Sequence, residues 1–344
     1  MKQQEARALL DAARRSARRM SGYYNHNVRV DTPDGPVLVR IPVPGAEQMD
    51  LRIWPESEIL TVLPSHVERI PQLRHVSDEP PFQIHEFVTG RRLDEIAPRG
   101  EPVPRDVVQD VLNLFRQLGD VPRPDLPPTP DGWPADGDCA GFATLLSGVT
   151  QRVADEFGGE FEKLFHMLGI PHDPLRIATA GWRSLTSRRF RLVHSDVHRQ
   201  NIIIADHGPV FLDWELSLWG DPLYELAVHI HKMAYLDDEL ETLLSGWGDA
   251  VGADASRSWQ QDLPVYLAHE KVKSAIVDSV RYTKEIVSPA TRTDRRDVLI
   301  VKLAGKLNAA GTVWGWTDAL SPSAVITAIT DWHRSTAHPP TRRR

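Results

Sequence analysis

Cysteine is almost absent from this 344-residue chain, with Cys139 the one example. A lone thiol excludes an intrachain disulfide and a cysteine-built zinc site, and it is the usage of a reducing compartment. No apolar run approaches the roughly 20 residues that span a bilayer, and the first residues carry no apolar secretory core. A cytoplasmic protein without membrane contact is therefore expected. Positive charge is not in excess either: 40 Lys and Arg face 47 Asp and Glu, for a net charge of −7. That balance argues against nucleic acid as a main partner, because a phosphate backbone calls for a basic surface, and it suits a cationic small molecule. Internal repeats at solenoid periods are lacking as well. What is left, 41% hydrophobic and 25% charged residues, is ordinary for a globular protein of one large or two modest domains. Oligomeric state leaves no mark on any of these quantities.

The informative stretch runs from Phe190 to Ala227, FRLVHSDVHRQNIIIADHGPVFLDWELSLWGDPLYELA, where polar residues interrupt short β-rich runs. Arg191–Val193, Ile202–Ile204 and Val210–Leu212 read as strands, the last ending on Asp213. Between the first two lies His194-x-Asp196, with Asn201 five residues after the aspartate. This is the spacing by which kinase catalytic loops set a base and a metal-binding amide. Phosphoryl transfer calls for those residue types: a carboxylate to take the proton of an acceptor hydroxyl, and Mg²⁺ to neutralise charge across the phosphates. Asp196 suits the first role, Asn201 and Asp213 offer the hard oxygens that Mg²⁺ prefers, and His194 braces the loop. A rival arrangement is metal hydrolysis, with His194, Asp196 and His198 on one side of a strand around Zn²⁺. It leaves Asn201, the LDWE strand and the N-terminal third without a role.

Three motifs in order, HSDVHRQN, LDWE and GDPLYELA, resemble those of the aminoglycoside phosphotransferase and choline kinase-like family, which run H-G-D-x-H-x-x-N, I-D-W-E and G-D-P-x-x-D-L-A. The resemblance implies Asp196 as catalytic base, Asn201 and Asp213 as Mg²⁺ ligands, and Asp221 as a structural carboxylate. Ser195 stands where the family has glycine, and Glu225 where it has aspartate. Upstream, Gly22, Asn25 and Arg40 match the family's G-x-x-N-x-x-Y-x-V and V-L-R, with Val28 in place of the aromatic. They imply a hairpin over the nucleotide phosphates and Arg40 as the phosphate cation. Glu56, at the start of a predicted short helix over 55–63, aligns with the family's helix glutamate and is placed to hold Arg40. Without the resemblance, Arg40 reads equally as a surface strand residue, and Glu56 as an exposed acid favoured by the helix dipole. The run His85-Glu86-Phe87-Val88-Thr89-Gly90 resembles the family's M-E-x-x-x-G hinge, which implies that Glu86, Phe87 and Val88 line the nucleotide base.

The fold expected is α+β and protein-kinase-like in two lobes. Residues 1–90 form a small β-rich nucleotide-binding lobe, 91–335 a large, mainly helical catalytic and acceptor-binding lobe, and 336–344 a flexible tail. Periodicity predicts a solvated basic helix over 2–20 and helices over 140–168, 174–187, 223–235, 238–247, 263–286, 292–317 and 323–334. Residues 121–138, dense in Pro, Asp and Gly, predict an exposed loop. Asp237, Asp238, Glu239 and Glu241 are candidates to face a cationic acceptor, against the plainer role of a charged helix start. The expected activity is transfer of phosphate from ATP or GTP to a hydroxyl of a small molecule. An aminoglycoside or other natural-product antibiotic comes first, and a metabolic sugar or amino-alcohol second. A kinase-like protein that binds nucleotide without turnover stays open as a different class.

Overall fold

A computed structural model describes residues 1–16, 20–22, 24–44 and 49–337. The chain forms two compact units, each drawn from two stretches: Met1–Gly137 with Arg188–Arg257, and Asp138–Ser187 with Ser258–Arg344. The lobe boundary expected at Gly90 lies inside the first unit. Of the expected tail, residues 336 and 337 end the last helix, and 338–344 lie outside the described residues.

The first unit opens with the helix Gln3–Arg15, shorter than expected and not merely solvated. Its Ala6, Leu10 and Ala13 are buried against Val28, Val37, Val39, Phe82 and Ile84 of an antiparallel sheet. That sheet has strands β1 (Met20–Ser21), β2 (Asn25–Val30), β3 (Val37–Pro42), β4 (Leu73–Asp78) and β5 (Pro81–Glu86), in the order β1-β2-β3-β5-β4. Alternation along β2, β3 and β5 turns the β-branched residues to the helix, and burying each large side chain contributes roughly 1.5–3 kcal/mol. The β2–β3 turn closes with Gly35 N–H on the Thr32 carbonyl at 3.1 Å, Gly35 lying at φ +106°.

Beyond the sheet, Gly90 has φ +156°, and a side chain there would place Cβ 2.4 Å from the Ile204 carbonyl oxygen. Only glycine allows β6 (Arg91–Arg92) to lie beside β8 (Ile202–Ala205), which in turn pairs with β9 (Gly208–Phe211). Strand β7 (Arg191–Val193) pairs with β10 (Leu218–Gly220). The helices Glu56–Val62, Leu93–Ile96, Arg105–Asp120, Pro222–Met233 and Asp237–Val251 complete this unit. Residues 121–138 are tied down rather than simply exposed. Trp133 Nε1 donates to the Trp219 carbonyl at 2.9 Å, Trp54 Nε1 to that of Pro128 at 2.8 Å, and Asp136 accepts from Phe190 N–H at 2.6 Å.

The second unit is helical: Cys139–Met167, Trp259–Val287, Thr293–Trp314 and Pro322–Ala337. Asp138 caps the first through Gly141 N–H at 2.8 Å, and Gly315 at φ +80° ends the third. The helix expected over 174–187 is instead a run of turns with one 3₁₀ turn, Trp182–Ser184. Gly181 lies inside it, and glycine costs a helix interior about 1 kcal/mol relative to alanine. Among the described residues no helix is long and apolar enough to cross a membrane.

Candidate active site

The loop between β7 and β8 carries the HSDVHRQN residues, and its geometry is fixed from several sides. His194 is fully buried; its Nδ1 accepts from Asp196 N–H at 3.3 Å and its Nε2 lies 3.1 Å from the Leu212 carbonyl. One nitrogen acting as acceptor and the other as donor describes a neutral imidazole. Burial agrees, pushing the His194 pKa down to about 4 against the pull of Asp196 and Asp213. Both nitrogens are thereby occupied, which leaves no zinc ligand of the kind the rival arrangement requires. Arg199, also buried, donates from Nη1 to the carbonyls of Ala97 at 2.7 Å and Glu101 at 2.9 Å, and from Nε to that of Met233 at 2.9 Å.

Asp196 sits inside a ring of donors. Asn201 Nδ2 reaches its Oδ2 at 2.9 Å and its carbonyl at 3.0 Å. His198 Nε2 lies 3.5 Å from Oδ1, and Lys232 Nζ contacts the same oxygen. Burial works against the charged carboxylate, but Lys232 and His198 hold its pKa well below the usual carboxylate range. An amide that uses its N–H groups on Asp196 keeps its carbonyl oxygen for another partner. Asn201 and the residues before Asp213 face each other at the base of the β8–β9 hairpin: Ile202 pairs with Phe211, and Leu212 N–H donates to the Asn201 carbonyl at 2.8 Å. Asp213 then adopts φ +66°.

Ser195 takes φ +62°, a left-handed conformation that explains a glycine preference at this place. Its amide donates to Glu225 Oε2 at 2.6 Å, so the two departures from the family pattern touch each other. Burial pushes Glu225 up to about 7, against the hydrogen bond from Ser195. Asp221 grips Arg188 with two bonds, at 3.0 Å to Nε and 2.7 Å to Nη2. Both side chains are wholly buried, and Asp221 also caps the Pro222 helix through Leu223 N–H at 3.0 Å.

A second cluster joins the sheet to this hairpin. Arg40 is buried, not a surface residue, with Nη1 2.9 Å from Glu56 Oε1 and Nη2 2.8 Å from Asp213 Oδ1. Burial disfavours the guanidinium charge, yet Glu56, Asp213 and Glu215 raise its pKa above the arginine value. Glu56 is likewise buried and accepts from Trp214 N–H at 3.0 Å, so it is not an exposed dipole-favoured acid. Glu215 accepts from Asn25 Nδ2 at 3.0 Å, lies 3.4 Å from Arg40 and pairs with Arg52, whose guanidinium lies over the Tyr24 ring at 3.5 Å. Gly22 N–H closes the adjacent turn on the Asn25 carbonyl at 2.9 Å. Sequence reasoning missed Arg52, Lys232, Arg199 and the role of Glu215; only Glu215 had a signal, as the last letter of LDWE.

At the end of β5, Glu86 N–H already donates to the Gln72 carbonyl at 2.8 Å, so a main-chain donor to a base would come from Phe87 or Val88. Arg29 lies over the Phe87 ring at 4.8 Å. The four candidate acceptor acids do not act alike. Asp237, Asp238 and Glu241 are exposed. Glu239 is a correction: it is buried, and its carboxylate accepts from Val103 N–H at 2.6 Å and Leu236 N–H at 2.9 Å. Two orphan amides claim its oxygens, so it faces the fold and not an acceptor.

A model of the phosphotransferase enzyme family matches residues 17–261. The chain belongs to that family, and it is a phosphotransferase. Solved structures of similar fold include a choline/ethanolamine kinase family protein from Mesorhizobium loti, 15% identical, covering 96% of this chain and 99% of that one, with a TM-score of 0.52. A Plasmodium vivax ethanolamine kinase is 13% identical over 87% of this chain and 85% of its own, TM-score 0.53. A spectinomycin phosphotransferase in complex with ADP and spectinomycin is 10% identical over 96% and 99%, TM-score 0.51. No curated protein matches the sequence. The fold is therefore the mixed α+β, protein-kinase-like one expected from the motifs.

Proposed function

We propose that this phosphotransferase moves the γ-phosphoryl group of ATP or GTP to a hydroxyl of a small molecule. One observation carries the proposal: the Arg40–Glu56 pair, more than 130 residues before Asp196, meets the hairpin that carries Asp196, Asn201 and Asp213 through the 2.8–3.0 Å contacts described above. Asp196 is the base that takes the acceptor proton. Arg40, steadied by Glu56, holds phosphate oxygens, and the turn carrying Gly22 and Asn25 covers them. Phe87 and Val88, with Glu86 at the strand end, line the base of the nucleotide.

The donor set fits Mg²⁺. Asn201 and Asp213 are hard oxygen donors at the base of one hairpin, and a magnesium site needs few protein ligands because phosphates and water complete it. Among the described residues there is no group of three His, Cys, Asp or Glu side chains that could hold a metal by themselves. When bound, the ion supplies charge neutralisation across the phosphates. Arg40 holds Asp213 through Oδ1, and the second carboxylate oxygen, Oδ2, would face the ion.

For the acceptor we propose a cationic, hydroxylated natural product, an aminoglycoside-like antibiotic before an amino-alcohol of metabolism. The net charge of −7 and the exposed Asp237, Asp238 and Glu241 support a cation. The test is a transfer screen with Mg·ATP and Mg·GTP over aminoglycosides, other hydroxylated antibiotics, sugars and amino-alcohols, read by mass spectrometry. An added phosphate on a cationic acceptor is expected. Preference for a neutral sugar would remove the cationic reading, and nucleotide binding with no transfer to any acceptor would favour a binding module.

A further inference from the structure

Lys232 occupies the last turn of the Pro222–Met233 helix, with its side chain about one-third exposed and its ammonium on Asp196 Oδ1. The Asp196 oxygens are thus covered by donors: Lys232 and His198 on Oδ1, Asn201 on Oδ2. Oδ1 already carries two donors, so an acceptor hydroxyl that hands its proton to this oxygen displaces one of them. Asn201 is held by its second bond to the Asp196 carbonyl at 3.0 Å and by the hairpin. His198 is fixed through its Nδ1, which accepts from Gln200 N–H at 3.2 Å. Lys232 is different, since a partly exposed ammonium on a four-carbon stem can swing.

Where it would swing follows from the chemistry. A base lies about 2.6–3.2 Å from the hydroxyl it deprotonates, and an attacking oxygen about 3–3.5 Å from its target atom. The Asp196 oxygen is therefore roughly 5–6 Å from the γ-phosphorus, and an ammonium that touches this oxygen has phosphate oxygens within the swing of a lysine side chain. On the phosphotransfer reading above, we propose that Lys232 is a further catalytic residue whose ammonium leaves Asp196 for a γ-phosphate oxygen when the nucleoside triphosphate binds, which opens Asp196 to the acceptor. In the step, the acceptor oxygen bonds to phosphorus, and the bond from phosphorus to the β,γ-bridging oxygen breaks with its electron pair leaving on the nucleoside diphosphate. The acceptor proton passes to Asp196. Lys232 keeps its protons and offsets charge on the transferring group.

The test is calorimetric titration of the full chain with Mg·ADP and with the Mg complex of β,γ-imido-ATP, for the unaltered protein, Lys232→Met and Lys232→Arg, each also in an Asp196→Asn background. Lys232→Met should weaken the triphosphate analogue roughly 10- to 100-fold, the scale of a charge-assisted hydrogen bond. ADP affinity should change by no more than about twofold, because the diphosphate lacks the group that Lys232 contacts. Lys232→Arg should restore most of the difference, and the loss should persist in Asp196→Asn. Unchanged triphosphate affinity in Lys232→Met, equal loss for both nucleotides, or a loss that vanishes in Asp196→Asn would overturn the proposal, the last because Lys232 would then only neutralise Asp196. An unaltered protein that binds neither nucleotide would overturn the phosphotransfer reading itself, and Lys232 with it.

Discussion

The acids of the 190–227 stretch and the acids at 237–241 are close in sequence and opposite in surroundings. In the first group five of the six carboxylates meet a specific donor: Asp196 meets Lys232, Asp213 meets Arg40, Glu215 meets Arg52, Asp221 meets Arg188, and Glu225 takes the Ser195 amide; the sixth, Asp206, is exposed at the β8–β9 turn. In the second, Asp237, Asp238 and Glu241 are exposed and only Glu239 turns inward. A charge taken out of water persists only with a partner, whereas an exposed one needs none. Local acid density therefore reads as a solvated helix start, while acids spaced across linked motifs read as parts of one paired network.

That contrast is broken or sharpened by substitution. Asp196→Asn should cost on the order of 10² to 10⁴ in transfer rate, the usual weight of a general base, while Mg·nucleotide affinity stays near the unaltered value. Steady-state rates beside calorimetric affinities check this, and near-normal turnover would remove Asp196 from the base role.

Removing Arg40 should destabilise the fold by roughly 3–5 kcal/mol, because Glu56 is left buried without its cation, and removing Glu56 should cost less, because Arg40 keeps Asp213 and Glu215. A double-mutant cycle with Arg40→Met and Glu56→Gln should show coupling of about 0.5–3 kcal/mol in denaturant unfolding. Full additivity would mean that the two act independently.

Glu225 offers a smaller, pH-dependent effect. Its folded pKa is raised from 4.5 to about 7 by burial, so the folded state holds a proton that the unfolded chain has released. The stability it contributes is present below the unfolded value and is lost as pH rises through about 7. Burial lowers His85 to about 3, and His194 and His229 to about 4, from 6.5. These work in the other direction, their contribution being lost as pH falls below 6.5, so the two sets oppose each other in the acid range, and Glu215, pushed up to about 8 chiefly by burial, acts in the same direction as Glu225. Relative to the unaltered protein, Glu225→Gln should gain on the order of 1 kcal/mol between about pH 5 and pH 8, seen in thermal melts. A constant difference across that range would show that Glu225 does not titrate there.

The smallest effect belongs to the surface. Neutralising Asp237, Asp238 and Glu241 together should change stability by no more than about 0.5 kcal/mol. Glu239→Ala should cost about 1–3 kcal/mol by stranding buried amides. If the exposed acids attract the acceptor, acceptor KM should rise on neutralisation and lose part of its salt dependence; an unchanged KM leaves them as a solvated face.

How far the molecule was legible follows the same division. The strands around 191–193, 202–204 and 210–212, the helix over 223–235 and the short helix over 55–63 were readable because periodicity and turn residues are local, whereas the strand Leu218–Gly220 was not foreseen. Asp196, Asn201 and Asp213 were readable because one loop and one hairpin fix their spacing. Partners contributed by another element were not. Arg52 reaches Glu215, and Lys232 reaches Asp196, across folds that no short-range pattern encodes. The run 174–187 was misread for a different reason: it folds as turns around the 3₁₀ turn Trp182–Ser184, and the weak helix preference of Gly181 is the one local sign of it.

The most direct measurement is nucleotide affinity as a function of Mg²⁺ concentration, in the unaltered protein and in Asp213→Ala. ATP binding should tighten as Mg²⁺ is added to the unaltered protein. In Asp213→Ala, with a charged ligand removed and Arg40 released, most of that dependence should be gone. The same Mg²⁺ dependence in both proteins would contradict a site in which Asp213 holds the metal that accompanies the phosphates.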